Sequence, residues 1–243
     1  MNSAVKKIIP LWAIGLAMFA LRFVETRTGF DSATGLAVPT VARPMLIGAV
    51  LLAVVYAVVS VRNYSVERPA FDEYFAVPDR WKTLLVLGGF LYMAGGVWLG
   101  YQTVMEKAGI APLITAALAV VTGGGFLVLT KRMGDGEADS VVSLLPGLFF
   151  SAFWALSLYL PTGGDPVLAR YWLPILAAAL QAYAIAELSG FFRRESKPRS
   201  FSFTARAAVM LCIAALAEPN LTFAPLFLGS AAVMSAFLAL ERE

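Results

Sequence analysis

Long apolar runs free of charge constrain this chain more than any other feature. Met45 to Val61 and Ala111 to Thr130 hold no Asp, Glu, Lys or Arg, and about eight such stretches, most close to twenty residues, alternate with short charged loops. A hydrocarbon layer about 30 Å thick needs roughly 20 apolar residues per helix, and inside it every backbone N–H and C=O must be paired within the segment. The pattern predicts an all-α, polytopic transmembrane helical bundle whose first partner is the lipid bilayer. Strands of a membrane barrel would alternate apolar and polar positions over about ten residues, which these continuous runs do not. Composition agrees, since 59% of the 243 residues are hydrophobic and 14% charged, too little polar material to cover a soluble domain of this size.

Spans are expected near 8–24, 43–61, 83–104, 111–130, 140–160, 167–192, 203–218 and 222–240, which fill 1–243 as one integral membrane domain. The seventh is the shortest. It carries Arg206 within the run from Thr204 to Glu218, so it either crosses fully or forms a tilted hairpin with the eighth through Glu218-Pro219-Asn220. Basic residues set orientation, because short loops rich in Lys and Arg stay in the cytoplasm. With the N-terminus inside, the inner segments hold Lys6, Lys7, Arg62, Arg68, Arg80, Lys82, Lys131, Arg132, Arg193, Arg194, Lys197, Arg199, Arg206 and Arg242. The outer ones hold only Arg22, Arg27, Arg43, Lys107 and Arg170. Both termini are therefore expected in the cytoplasm. Lys6-Lys7 followed by an apolar run has the form of a signal peptide, but no small-x-small site closes it before Arg22, so a retained first helix is the better reading.

The chain has no histidine. That removes the usual general base, the commonest metal ligand and the usual haem ligand together. A His-Glu-x-x-His metalloprotease or a Ser-His hydrolase cannot be built, and no G-x-x-x-x-G-K-[ST] phosphate loop is present. The single Cys212 permits no intramolecular disulfide and reads as a packed thiol. No catalytic activity, cofactor or metal is expected, and basic residues dispersed over membrane-flanking loops argue against a nucleic-acid partner.

Glu187 stands out as an ionisable residue inside a span, which is costly enough to suggest function. It lies about 9 Å before Arg193 along the helix; Tyr183 shares its face, and Gln181 lies about a third of a turn away. These three form a candidate proton, cation or small-molecule site. The alternative, a structural carboxylate near the interface paired with a basic side chain, carries more weight so close to the helix end. Ala178, Ala182, Ala186 and Gly190, and the glycines 88, 89, 95, 96 and 100, read as close-packing faces. Gly123-Gly124-Gly125 is a possible break of the transporter kind.

Outside, the loop from Glu25 to Arg43 contains turn residues and offers Asp31 and Arg27 as ligand contacts if it acts as a lid; a compact connector is the commoner alternative. Asp165-Pro166 suits an N-cap and first turn. Inside, loop 62–82 places Phe71, Tyr74 and Phe75 on one helical face opposite Asp72 and Glu73, as expected of a short helix on the membrane surface or a dock for a protein partner.

Phe30 to Leu36 in the outer loop, Phe71 to Phe75 in the inner one, and Phe153-Trp154 followed by Asp165 to Leu168 carry a resemblance. On these pieces the chain resembles uncharacterised multi-pass membrane proteins common in Clostridia and related Firmicutes. The resemblance implies a bacterial cytoplasmic membrane and supplies no activity, substrate or site residue. Two functions are expected from the residues: a small-molecule or ion transport component, or a non-transporting membrane subunit, sensor or scaffold that binds a partner protein.

Overall fold

The computed structural model describes residues 3–31, 36–64, 67–75, 79–107, 109–135, 141–159, 171–218 and 221–242. Helix is the dominant structure: α1 (Ser3–Thr28), α2 (Ala42–Ser60), the single turn α3 (Phe71–Tyr74), α4 (Asp79–Glu106), α5 (Ile110–Asp135), α6 (Leu145–Tyr159), α7 (Trp172–Gly190), α8 (Pro198–Ala215) and α9 (Ala224–Leu240). The long helices stand where the apolar runs lie. Five segments, Ala4–Thr28, Ala42–Ser60, Trp81–Glu106, Ile110–Met133 and Trp172–Arg193, are long and apolar enough to cross a membrane. The molecule is thus an all-helical, membrane-embedded bundle. The remaining long helices depart from the twenty-residue expectation: α6 and α9 have 15 and 17 residues. The helix expected over 203–218 runs instead from Pro198 to Ala215, because Pro198 suits the first helical turn, where its missing N–H costs nothing.

Lateral order follows from which helices touch. α8 and α9 pack antiparallel at the centre; α1 and α2 cover one side of this pair, and α4, α5, α6 and α7 form an arc on the other. Nearly every residue of α8 from Phe201 to Ala215 is buried, and so is α9 from Gly229 to Leu240. The outer helices turn large apolar side chains outward, among them Leu51, Leu52, Val55 and Val59 on α2 and Phe90, Val97 and Val104 on α4. Apolar side chains fill the interior and also cover the outside, and buried polar groups such as Arg22, Gln181 and Arg206 lie within the bundle.

Glycine sets how closely the arc packs. A Cβ on Gly96 would lie 2.7 Å from the Ala116 carbonyl, one on Gly89 3.0 Å from the Gly123 carbonyl, and one on Gly123 would collide with the Gly89 carbonyl. The α4 and α5 backbones therefore touch directly, as small-residue interfaces in lipid allow. The possible break at Gly123 to Gly125 does not occur, and α5 runs unbroken through it. Inside the helices, Thr122 and Ser151 bond the carbonyls four residues back, at 2.7 and 2.8 Å, which satisfies hydroxyls that lipid could not. The Asp165-Pro166 pair and residues 32–35 of the outer loop lie outside the described residues.

Neighbouring glycines supply a test. A Cβ at Gly124 would meet nothing within 4 Å, so Gly124→Ala should leave the melting temperature unchanged or raise it slightly. Gly123→Ala should destabilise by about 1–3 kcal/mol. Thermal unfolding of both variants in one lipid environment checks the contrast, and equal behaviour would dismiss the α4–α5 contact.

Candidate functional site

Arg206 lies on α8, the helix most enclosed by the others, and is buried. A guanidinium there must find partners, because an unpaired charge in such a place is costly. Its Nη2 donates to the Tyr64 hydroxyl at 2.7 Å and its Nη1 to the Ser202 carbonyl at 3.1 Å. Tyr64 in turn donates to Glu241 Oε2 at 2.7 Å, and that oxygen lies 3.7 Å from Arg206 Nη2 and 3.9 Å from Lys7 Nζ. Ser202 Oγ donates to the other oxygen of Glu241, and Tyr74 OH sits 3.2 Å from Ser202 Oγ. Five side chains from α1, α3, α8 and the segment after α2 thus converge on one carboxylate, supplied by the segment after α9.

The backbone holds Glu241 in place. Phe75 and Glu241 form an isolated antiparallel bridge, and the Arg242 N–H donates to the Tyr74 carbonyl at 2.8 Å. Beneath it, Phe71 stacks on Phe192 at 4.4 Å between ring centroids and Tyr74 on Phe191 at 4.9 Å, while Phe75 meets the edges of Phe191, Phe201 and Phe237. The aromatic face expected to lie on the membrane or meet a partner is therefore turned inward and packed against the chain's own bundle. Its acidic side remains outside, where Glu73 pairs with Arg194 at 3.2 Å.

An open pocket of about 1040 Å³ leads down to this cluster. It lies on the seam between the α1–α2 side and the central pair, with Lys6, Lys7, Tyr56, Tyr64, Arg206 and Arg242 among its lining. Burial, then the Glu241 charge beside it, pushes the Tyr64 phenol up to about 12 despite the opposing effect of Arg206. Tyr74 is raised further, again by burial first and Glu241 second.

Helix α1 carries a second charged cluster at its other end, about 22 Å from Lys7 by helical rise. Arg22 is fully buried and donates to Glu218 Oε1 from Nε at 2.9 Å and Nη2 at 2.7 Å, and to Glu25 Oε2 at 2.8 Å. Arg43 Nε completes the network on Glu25 Oε1 at 3.1 Å. Between the ends, nearer Lys7, Trp12 Nε1 donates to Ser235 Oγ at 3.0 Å.

The residues singled out from the sequence fall elsewhere. Glu187 closes the α7–α8 turn: its carboxylate accepts from Ser200 Oγ at 2.9 Å and its carbonyl from Ser196 Oγ. Tyr183 is half exposed, and among the described residues Ser200 rather than Tyr183 is the partner of that carboxylate. Gln181 is buried apart from both; its Nε2 donates to Tyr92 OH, which lies 2.8 Å from Ser230 Oγ. Arg27 is exposed with its guanidinium 4.3 Å from the Phe23 ring centre, and Asp31 is exposed at a turn where its N–H donates to the Leu36 carbonyl at 2.9 Å. The structure does not bring these five together. Sequence reasoning missed Arg206, Tyr64, Glu241 and Lys7 as a group, although Arg206 met the same criterion of a charge within a span that drew attention to Glu187.

Among the described residues no three His, Cys, Asp or Glu side chains converge to hold a metal. No protein-family model matches the chain, and neither a curated protein nor a solved structure does so at a significant level.

Two measurements probe the cluster. Glu241→Gln should destabilise by roughly 3–5 kcal/mol, because it leaves Arg206 buried without its carboxylate, whereas Arg206→Met combined with Glu241→Gln should cost less than the sum of the two. Additive losses in thermal unfolding would show the pair to be uncoupled. The raised Tyr64 phenol keeps its proton in the folded state at a pH where the unfolded chain has lost it. Stability is therefore complete below pH 10.0 and falls as pH rises towards about 12. Absorbance titration of phenolate should show Tyr64→Phe losing amplitude at the late end of that window; loss near pH 10.0 would contradict the burial.

Proposed function

We propose that this protein is a small-molecule transport component of a bacterial cytoplasmic membrane, without catalytic activity, crossing the bilayer eight times with both ends of the chain in the cytoplasm. The observation that carries it is the asymmetry of the seam between the α1–α2 side and the α8–α9 pair. At the end holding Lys7 and Glu241 the seam opens into the pocket, and at the end holding Arg22 and Glu218 it is shut by buried ion pairs. Alternating access needs this arrangement: a site reached from one side at a time, and contacts at the closed end that can exchange for others. The positive-inside distribution supports a cytoplasmic open end, and in this reading the state is inward-open. α1 and α2 are the moving element, with Trp12 and Ser235 at the fulcrum.

The non-transporting alternative, a sensor or scaffold, shares the pocket but not the need for two exchangeable ends. Uptake separates them. Proteoliposomes holding the protein should accumulate at least one solute of a chemically varied panel, and Glu218→Gln should slow the initial rate about tenfold or more while the purified variant stays folded. Binding without uptake for every solute bound would favour the sensor. Orientation is checked by Ser3→Cys and Thr28→Cys: an impermeant maleimide should label Thr28→Cys on intact cells and Ser3→Cys only after the membrane is opened.

A further inference from the structure

The pocket's charges are unevenly committed. Glu241 is engaged by Lys7, Arg206, Tyr64 and Ser202. Glu73 accepts from the Ala70 N–H at 2.8 Å and pairs with Arg194, and Glu67 also has a partner. Lys6 and Arg242 line the same pocket, both are exposed, and among the described residues neither side chain has a carboxylate partner. Two cations from opposite ends of the sequence therefore face one cavity in which the described carboxylates, Glu67, Glu73 and Glu241, are engaged with other groups, above a floor of phenol groups and the Arg206 guanidinium.

That arrangement selects its ligand by charge. A cation would be repelled, an uncharged solute would gain nothing from the two positive groups, and a single carboxylate would match one. A phosphate monoester carries close to two negative charges at pH 7, and its oxygens suit the planar fork of a guanidinium as well as the point charge of an ammonium. We infer that the pocket takes a phosphate-bearing anion, with Lys6 and Arg242 as its charge partners. This rests on the reading of the pocket as the solute site. The same phosphate chemistry is offered by a water-soluble phosphate and by the headgroup of phosphatidic acid.

Thermal unfolding of the full chain in phosphatidylcholine nanodiscs, followed by tryptophan fluorescence, distinguishes the sources. Inorganic phosphate is titrated against chloride at matched ionic strength, and a parallel sample carries a minor fraction of phosphatidic acid. One of the two should raise the melting temperature saturably, by roughly 5 °C at a hundredfold excess over the dissociation constant. A rise with inorganic phosphate identifies a soluble ligand; a rise with phosphatidic acid alone identifies a lipid headgroup. Lys6→Gln combined with Arg242→Gln should melt like the wild type without phosphate and lose the rise, while Lys131→Gln, exposed on α5 away from the pocket, should keep it. Equal effects of phosphate, phosphatidic acid and chloride, or a rise retained in the double variant, overturn the inference. Stabilisation by an uncharged or cationic solute of the uptake panel, unaffected by the double variant, would overturn the phosphate while leaving the transport reading standing. Absence of any stabilisation together with absence of uptake would remove both.

Discussion

Arg206 cannot face lipid, and much of the bundle follows from that. A guanidinium within an apolar helix is tolerated only where neighbouring protein supplies acceptors, and the helix that bears it lies in the middle, surrounded. α8 is also furnished with Ser200, Ser202 and Thr204 near its start, which the same enclosure accommodates. Its antiparallel partner α9 presents Ser230 and Ser235 to Tyr92 and Trp12. The other long helices, which turn large apolar side chains outward, form the wall. In water a bundle hides its oily residues; here they fill the core and cover the outer helices as well.

Enclosure alone would permit many arrangements of the wall. What selects this one is a pair of charge clusters tying α1 to the central helices at both ends, with the Trp12–Ser235 hydrogen bond between them. Each cluster mixes acids and bases from segments far apart in the chain, so it specifies register as much as it adds stability; buried ion pairs are better specifiers than stabilisers, because desolvation offsets most of their attraction. The two ends are unequal: one is sealed tightly around Arg22, the other widens above Glu241. On the opposite side of the centre, α4 and α5 are held by backbone contact through Gly89, Gly96 and Gly123, which leaves little freedom to slide. Rigidity on one side and polar, exchangeable contacts on the other suit a molecule that moves along one seam.

How much of this is legible in the sequence depends on the range of the interaction. The helices are, since apolar run length is a local property and the bilayer reads it directly. The hydrophilic character of α8 is legible too, but it points to weakness when the solvent is taken to be lipid on every side. A run shortened by Arg206 and hydroxyls marks the helix that other helices cover, and no one-dimensional pattern says which neighbours do the covering. Phe71, Tyr74 and Phe75 form a face that periodicity finds easily, yet an amphipathic turn fits a membrane surface and the floor of its own bundle equally well. Glu187 drew attention by its position within a span, although the turn after Gly190 brings Ser196 and Ser200 back to it. The Glu241 cluster is invisible for the plainest reason: its members are scattered from Lys7 to the segment after α9, and nothing local announces that they meet.

Trp12 bonds a residue 223 positions later, and Arg22 one 196 positions later. Helices that enter the membrane in order of synthesis must therefore hold α1 in place, its arginine answered by Glu25 of the same helix, until Glu218 and Ser235 arrive. Contacts of such long sequence separation form late and slowly. During that interval α1 lacks the partners that fix its register in the finished bundle. The centre of the finished molecule is the last part of it to be made, so the place of the first helix is settled only when the end of the chain arrives.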